Sequence, residues 1–187
     1  LIAPELAAGI DLGDSRHLLD LGGGPGTYAV HFCLHNPQLQ ATILDLPASR
    51  PFAEGTIADF QLEDRISFIP GDYVHEEVQG SYDVVWMSHI LHGESPEDCD
   101  RIVAKAVRVL EKGGSIIIHD FILEDTRDAP SFPALFSLNM LMATEGGRAY
   151  SQSELEGMLH RAGVREVRRM DFQGPNQSGV LVGRVGY

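Results

Sequence analysis

An α/β chain with a Rossmann-like, doubly wound sheet of seven strands is predicted by three observations. Short β-rich runs alternate with amphipathic segments, a glycine loop follows the first run, and the last two runs stand too close for a crossover. The first five runs are "HLLDL" (17–21), "ATILDL" (41–46), "ISFIPGD" (66–72), "YDVVWMSHI" (82–90) and "SIIIHDF" (115–121), with helices expected near 26–35, 48–60 and 96–111. Strand and helix in turn give parallel strands joined by right-handed crossovers, with helices on both faces. The runs are apolar without strict alternation, as strands buried on both sides are. Ser95 with Asp98, and Ser151 with Glu154, have capping-box spacing; Pro96 supports the first start, and "EKGG" predicts the stop of helix 96–111. After a helix at 151–162 come "VREVRRMDF" (164–172) and "GVLVGRV" (179–185), separated only by "QGPNQS". That gap admits only an antiparallel pair.

At 187 residues, 43% of them hydrophobic and 22% charged, the chain suffices for one domain, 1–187, with a sizeable core. A net charge of -13 works against nucleic acid or an anionic membrane as partner, because such binding relies on Lys and Arg. No apolar run has the length of a bilayer span. Cys33 and Cys99 fall in helical stretches without metal-ligand spacing, and are read as reduced thiols in a cytoplasmic core.

In "DLGGGPG" the glycines that matter fall at Gly22, Gly24 and Gly26, with Asp20 upstream. A dinucleotide fingerprint needs its third glycine where this chain has Thr27, and no Gly-Lys-Ser/Thr follows as in a P-loop. A tight glycine turn beside a strand-end carboxylate suits a ligand with a cationic amino acid end, such as S-adenosylmethionine. Asp45, ending the second strand, can accept both hydroxyls of a ribose. Asp72, ending the third strand with Tyr73 beside it, suits an adenine. The three acids are expected to line one crevice at the carboxyl edge of the sheet. Taken singly, each also reads as a helix cap.

The sequence resembles the catalytic domain of class I S-adenosylmethionine-dependent methyltransferases, specifically the small-molecule O-methyltransferases that include plant phenolic and acetylserotonin enzymes and their bacterial relatives. The resemblance rests on "LLDLGGGPGTYA", "ILDLP", "GDY", "VVWMSHILHGESPEDC", "VLEKGGSIIIHDFIL" and "LNMLMATEGGRAYSQSELEGMLHRAG", in family order over nearly the whole chain. It implies S-adenosylmethionine as cofactor, with S-adenosylhomocysteine as product, and adds Leu46 and Ser88 to the cofactor contacts. It also implies that His92 is the general base that takes the proton of a small-molecule hydroxyl while the oxygen attacks the methyl. The physics agrees, since a phenol or alcohol is a poor nucleophile until its proton leaves and histidine titrates near neutral pH. Asp120 falls in the slot of the acid that orients the base, and Asn139 and Met140 are expected on the acceptor side, Asn139 reading equally as a polar residue on a helix flank. Gly93 and Glu94 replace the Asp-Trp of the plant enzymes, and Ala149 a second acid, so the phenylpropanoid pocket is not reproduced.

Family members carry an N-terminal winged-helix-like domain that makes a homodimer. Here only "LIAPELAAGIDLGDSR" precedes the first strand, so that domain is expected to be absent from this chain. No metal is expected: His89 and His92 form an H-x-x-H, but no further ligand stands at suitable spacing. Phe132, Phe136, Met140 and Met142 are core or the wall of an acceptor pocket, with helical spacing favouring core. C- or N-methylation by the same fold, a noncatalytic cofactor-binding module and a nicotinamide dehydrogenase are the rival readings, the last opposed by Thr27 and the terminal hairpin.

Overall fold

The computed structural model describes residues 2–186. Its strands are β1 (His17–Leu21), β2 (Gln40–Asp45), β3 (Ile66–Pro70), β4 (Tyr82–Ser88), β5 (Leu110–Asp120), β6 (Val164–Arg169) and β7 (Gly179–Val185). They form one sheet in the order β3-β2-β1-β4-β5-β7-β6. The first five are parallel, and β7 enters antiparallel between β5 and β6, as the short "QGPNQS" link requires. Strand order reverses between β1 and β4, and in such sheets the crevice for a ligand opens at the carboxyl ends beside that reversal.

The helices are α1 (Ala3–Gly9), α2 (Thr27–His35), α3 (Arg50–Asp59), α4 (Pro96–Arg108), α5 (Ser131–Ala143) and α6 (Gln152–Arg161). Neighbouring strand residues point to opposite faces, which splits the apolar runs between two cores. Leu19, Val85, Ile116 and Ile118 pack with Ile102 and Val103 of α4 and with Leu155 and Leu159 of α6. Leu18, Val84, Trp86 and Ile117 pack with Leu6 of α1, Phe32 of α2 and Ile57 of α3. Cys33 and Cys99 are free and buried, one in each core; burial pushes their thiols up to about 11 and about 12. No helix among the described residues is long and apolar enough to cross a membrane.

Several boundaries differ from the sequence reading. Helix α4 stops at Arg108 rather than at "EKGG", because Val109 already accepts from the Tyr82 amide and turns the chain into the sheet. The glycines then lie in an irregular start of β5, where the register against β4 shifts between Tyr82 and Val84. The segment before β1 holds α1, whose Leu6 and Ala7 are buried in the second core. Strand β4 ends at Ser88 instead of running to residue 90, because His89 takes a φ of 56° that leaves the strand. Both predicted caps form: Ser95 Oγ accepts from the Asp98 amide at 3.1 Å, and Ser151 and Glu154 make the full reciprocal box.

Lys105 on α4 is buried, an uncommon place for a lysine. Its Nζ donates to the carbonyls of Val74 at 2.9 Å and Glu76 at 2.8 Å, and so fixes the loop after β3 that carries Asp72 and Tyr73. Lys105→Met keeps the stem but leaves both carbonyls short of a donor. It is expected to cost roughly 1–3 kcal/mol, read as a lower midpoint in urea. An unchanged midpoint would show that water replaces the ammonium at no cost.

Candidate active site

The glycine loop runs from the end of β1 into α2. Gly22, Gly24 and Gly26 all have positive φ, which is why the sequence spaces glycines there. Gly23 matters as well, for a reason that spacing does not show: a Cβ on it would stand 2.6 Å from the Asp20 carboxyl carbon. The loop is tied to the next strand by the Gly24 amide, which donates to Asp45 Oδ2 at 2.7 Å.

Asp20 lies beneath this loop, buried. Its Oδ2 accepts from the Ala29 amide at 3.2 Å, whereas its Oδ1 is buried with no partner. Burial pushes this carboxyl up to about 7, against the lowering effect of the Ala29 amide and with a smaller push from Asp45. A buried carboxylate with a free oxygen is a seat for a cationic group. Beside it a cavity of about 200 Å³ is lined by Asp20, the loop, Thr27, Tyr28, Ser88 and His89.

Asp45, Leu46, Asp72 and Tyr73 sit at the neighbouring strand ends, outside the walls of that cavity. Asp45 Oδ1 accepts from the Leu46 amide at 2.6 Å and from Ser49 Oγ at 3.2 Å, so part of its accepting capacity already shapes the turn. Asp72 is turned to its own loop, accepting from the Val74 and His75 amides and facing His75 Nδ1 at 2.9 Å. The His75 imidazole, chief among these contacts, holds Asp72 below the usual carboxylate range. The Tyr73 ring lies along the glycine loop, within 3.2 Å of where a Cβ on Gly22 would be.

His92 occupies a short 3-10 turn (Leu91–Gly93) after β4. The turn is held from below, with Cys99 Sγ donating to the Leu91 carbonyl at 3.2 Å and the Tyr150 hydroxyl to the Glu94 carbonyl at 2.6 Å. His92 Nδ1 meets Asp120 Oδ1 at 2.6 Å, and the same oxygen accepts from the Phe121 amide at 2.8 Å. Burial alone would raise Asp120, yet the neighbouring His89 and His92 outweigh it and hold the carboxyl well below its ordinary range. Asp120 is thus an anion, and an anion can only accept, so His92 Nδ1 is the donor of this pair and Nε2 is the ring nitrogen that Asp120 does not engage.

His89 was set aside on sequence for lack of a further ligand near the H-x-x-H. The fold supplies one: His89 Nδ1 stands 3.5 Å from the Asp120 oxygen that His92 uses. Phe121, which the sequence reading missed, lies tilted against the His89 ring with centroids 4.6 Å apart, and Phe136 of α5 meets the His92 ring edge-on at 4.8 Å. Phe132 joins the same wall through Phe121 at 5.1 Å. Helical spacing on α5 had favoured core, but only Pro133 of that helix is buried, and Met142 is the most exposed of its apolar side chains. Asn139 is exposed, and it and Met140 follow Phe136 by three and four residues on its side of the helix. Ala149 is buried, its amide donating to Ser137 Oγ at 3.2 Å, and brings no acid to the site.

His119 is the other residue missed. It is buried under the cavity, its Nδ1 2.9 Å from Ser88 Oγ and 3.3 Å from the Tyr28 hydroxyl, its Nε2 3.0 Å from Ser178 Oγ. Burial pushes it down to about 3, so it is a neutral ring that orders two hydroxyls lining the cavity.

Asp20 and His119 pull stability in opposite directions with pH. The unfolded chain releases the Asp20 proton near pH 3.9, and the folded chain keeps it to about 7. Stability from Asp20 is therefore lost as pH rises through that window, by up to roughly 4 kcal/mol. The unfolded chain protonates His119 near pH 6.5 and the folded chain only near 3, so this contribution is lost as pH falls. Thermal melts across pH 4 to 7 are expected to become more acid-sensitive in Asp20→Asn and less so in His119→Asn. Parallel slopes in both variants would contradict the two assignments.

The O-methyltransferase domain family matches residues 1–165. The chain belongs to that family. Among its relatives, a 3-hydroxy-5-methyl-1-naphthoate 3-O-methyltransferase of Streptomyces sahachiroi is 34% identical over 98% of this chain and 53% of its own length. An L-tyrosine C(3)-methyltransferase of Streptomyces lavendulae is 35% identical over 92% of this chain and 48% of its own. The chain spans about half the length of these curated relatives. The family fold is also that of PigF, an S-adenosyl-L-methionine-dependent methyl transferase of Serratia sp. solved with SAH. That structure superposes with a TM-score of 0.87 at 29% identity, covering 98% of this chain and 55% of PigF.

Proposed function

We propose that this chain is the catalytic part of a methyltransferase that moves the methyl group of S-adenosylmethionine to a hydroxyl of a small, aromatic acceptor. The observation that carries the reading is the 2.6 Å contact of His92 Nδ1 with a buried, anionic Asp120, which leaves Nε2 as a proton acceptor inside an aromatic wall. The cofactor supplies the transferable methyl. Its amino group fits the unpartnered oxygen of Asp20, to which it donates a charge-assisted hydrogen bond. Gly22, Gly24 and Ser88 line the same cavity, and Asp45, Leu46, Asp72 and Tyr73 take the ribose and adenine side in this reading. Asn139 and Met140 face the acceptor from α5.

His92 takes the hydroxyl proton on Nε2 as the oxygen becomes nucleophilic, and Asp120 holds the ring and stabilises the positive charge that develops. Phe121, Phe132 and Phe136 offer ring faces to a flat acceptor and keep water from its oxygen. The same base serves carbon attack too, since a phenolate is nucleophilic at the ring position beside its oxygen; the tyrosine C(3)-methyltransferase relative gives that second reading its support. Incubation with methyl-labelled S-adenosylmethionine and a set of hydroxylated aromatics, with products located by NMR, tests the proposal. An O-methyl ether is expected; a C-methyl product selects the second reading, and no labelled product with any acceptor argues against both.

The homodimer implied by the family resemblance and the cytoplasmic location read from Cys33 and Cys99 belong to this proposal. The first draws support from Leu135 and Met142 of α5, which leave 68% and 83% of their surface uncovered.

A further inference from the structure

We propose that His89, His92 and Asp120 also form a binding site for a divalent ion of the zinc type, and that an ion bound there silences the base. The two histidines leave the end of β4 three residues apart, and Asp120 closes the group from the end of β5. One donor atom of each lies within 4.8 Å of the others. The His92 contact with Asp120 is already explained as the hydrogen bond of an oriented base. His89 is not accounted for in that way: its buried Nδ1 stands 3.5 Å from the same Asp120 oxygen but makes no hydrogen bond to it or to any other group among the described residues. Its backbone stands at φ 56°, a left-handed conformation uncommon outside glycine, held here by its amide donating to the His119 carbonyl at 2.9 Å. This left-handed turn thus delivers an unpaired imidazole nitrogen to the side of a carboxylate that already carries the base.

Two imidazoles and one carboxylate suit Zn2+ and its first-row neighbours. Ligands at 2.0–2.1 Å around a tetrahedral ion stand roughly 3.4 Å apart, so His92 and Asp120 would part slightly while the His89 ring turns inward. His89 lines the cavity beside Asp20 and its side chain is 32% exposed, so the group of three borders that cavity. The site rests on this geometry alone; its effect rests on the reading of His92 as base. An ion takes the lone pair of the His92 Nδ1, and the proton that sat there moves to Nε2. The nitrogen that must accept the hydroxyl proton is then filled, with no change in the charge of the ring.

Chelator-stripped protein titrated with Co2+, followed by its visible absorption, and with Zn2+ by calorimetry tests the site. One saturable equivalent is expected, weakened at least about tenfold in His89→Ala, the low end even for losing a residue that only supports a ligand. His89→Gln, checked for folding by circular dichroism, should weaken it likewise, whereas His160→Ala, which removes an exposed histidine on α6, should not. Absence of a saturable equivalent, or equal affinity in the wild type and both His89 variants, overturns the site. In the transfer assay, Zn2+ should inhibit the wild type in proportion to occupancy and leave the residual rate of His89→Ala unaffected. His89-dependent binding without inhibition overturns the silencing, and His92→Ala assayed without metal decides separately whether the base assignment stands.

Discussion

His92→Ala is expected to lower turnover by about 10²- to 10⁴-fold, the range for loss of a positioned general base, while leaving affinity for S-adenosylhomocysteine unchanged. The split follows from the structure, because His92 is absent from the walls of the cavity beside Asp20. Asp120→Asn is expected to be comparably damaging for a different reason. An amide can donate to the His92 Nδ1, which the carboxylate cannot, and so can hold the tautomer whose Nε2 is already protonated. It also removes the anion that stabilises the imidazolium. A variant at Asp120 that lost stability but kept its rate per folded molecule would reduce the residue to a structural cap.

Asp20→Asn is expected to separate binding from stability. Loss of one charge-assisted hydrogen bond of roughly 1.5–3 kcal/mol weakens S-adenosylhomocysteine binding by about ten- to 150-fold. The same substitution removes a buried ionisation that costs stability above about pH 7, so the ligand-free variant should melt higher than the wild type there. In the wild type, affinity should fall as pH drops through about 7, because the ammonium of the ligand needs Asp20 ionised. Calorimetry and melts on one sample set read all three effects. Binding that survives the substitution would place the amino group elsewhere, and a variant that both binds poorly and melts lower would mark Asp20 as merely structural.

Much of this was legible in the sequence because it is local. The glycines of the loop fall where three residues need positive φ, Asp20 and Asp45 stand at the carboxyl ends of β1 and β2 while Asp72 lies two residues beyond β3, and the short link before β7 forces its direction. What was not legible depends on residues distant in sequence meeting in space. The role of His89 requires both a left-handed turn that ends β4 early and Asp120 on the next strand. The His119 network joins α2, β4 and the approach to β7, and none of its hydroxyls has a spacing that announces it. Lys105 reads on sequence as one more charge on an amphipathic helix, and only the loop folded over it reveals its two carbonyl partners. On α5, helical periodicity suggested a core face, but the helix lies at the rim and lends Phe136 to the histidines instead.

The claim that His92 removes the acceptor's proton is tested most directly by comparing the wild type with His92→Ala on phenols of graded acidity at one pH. The deficit of the variant should be large for acceptors that are neutral in solution and shrink toward none for those already ionised. A deficit that is the same for every phenol, or absent for all of them, would contradict the assignment.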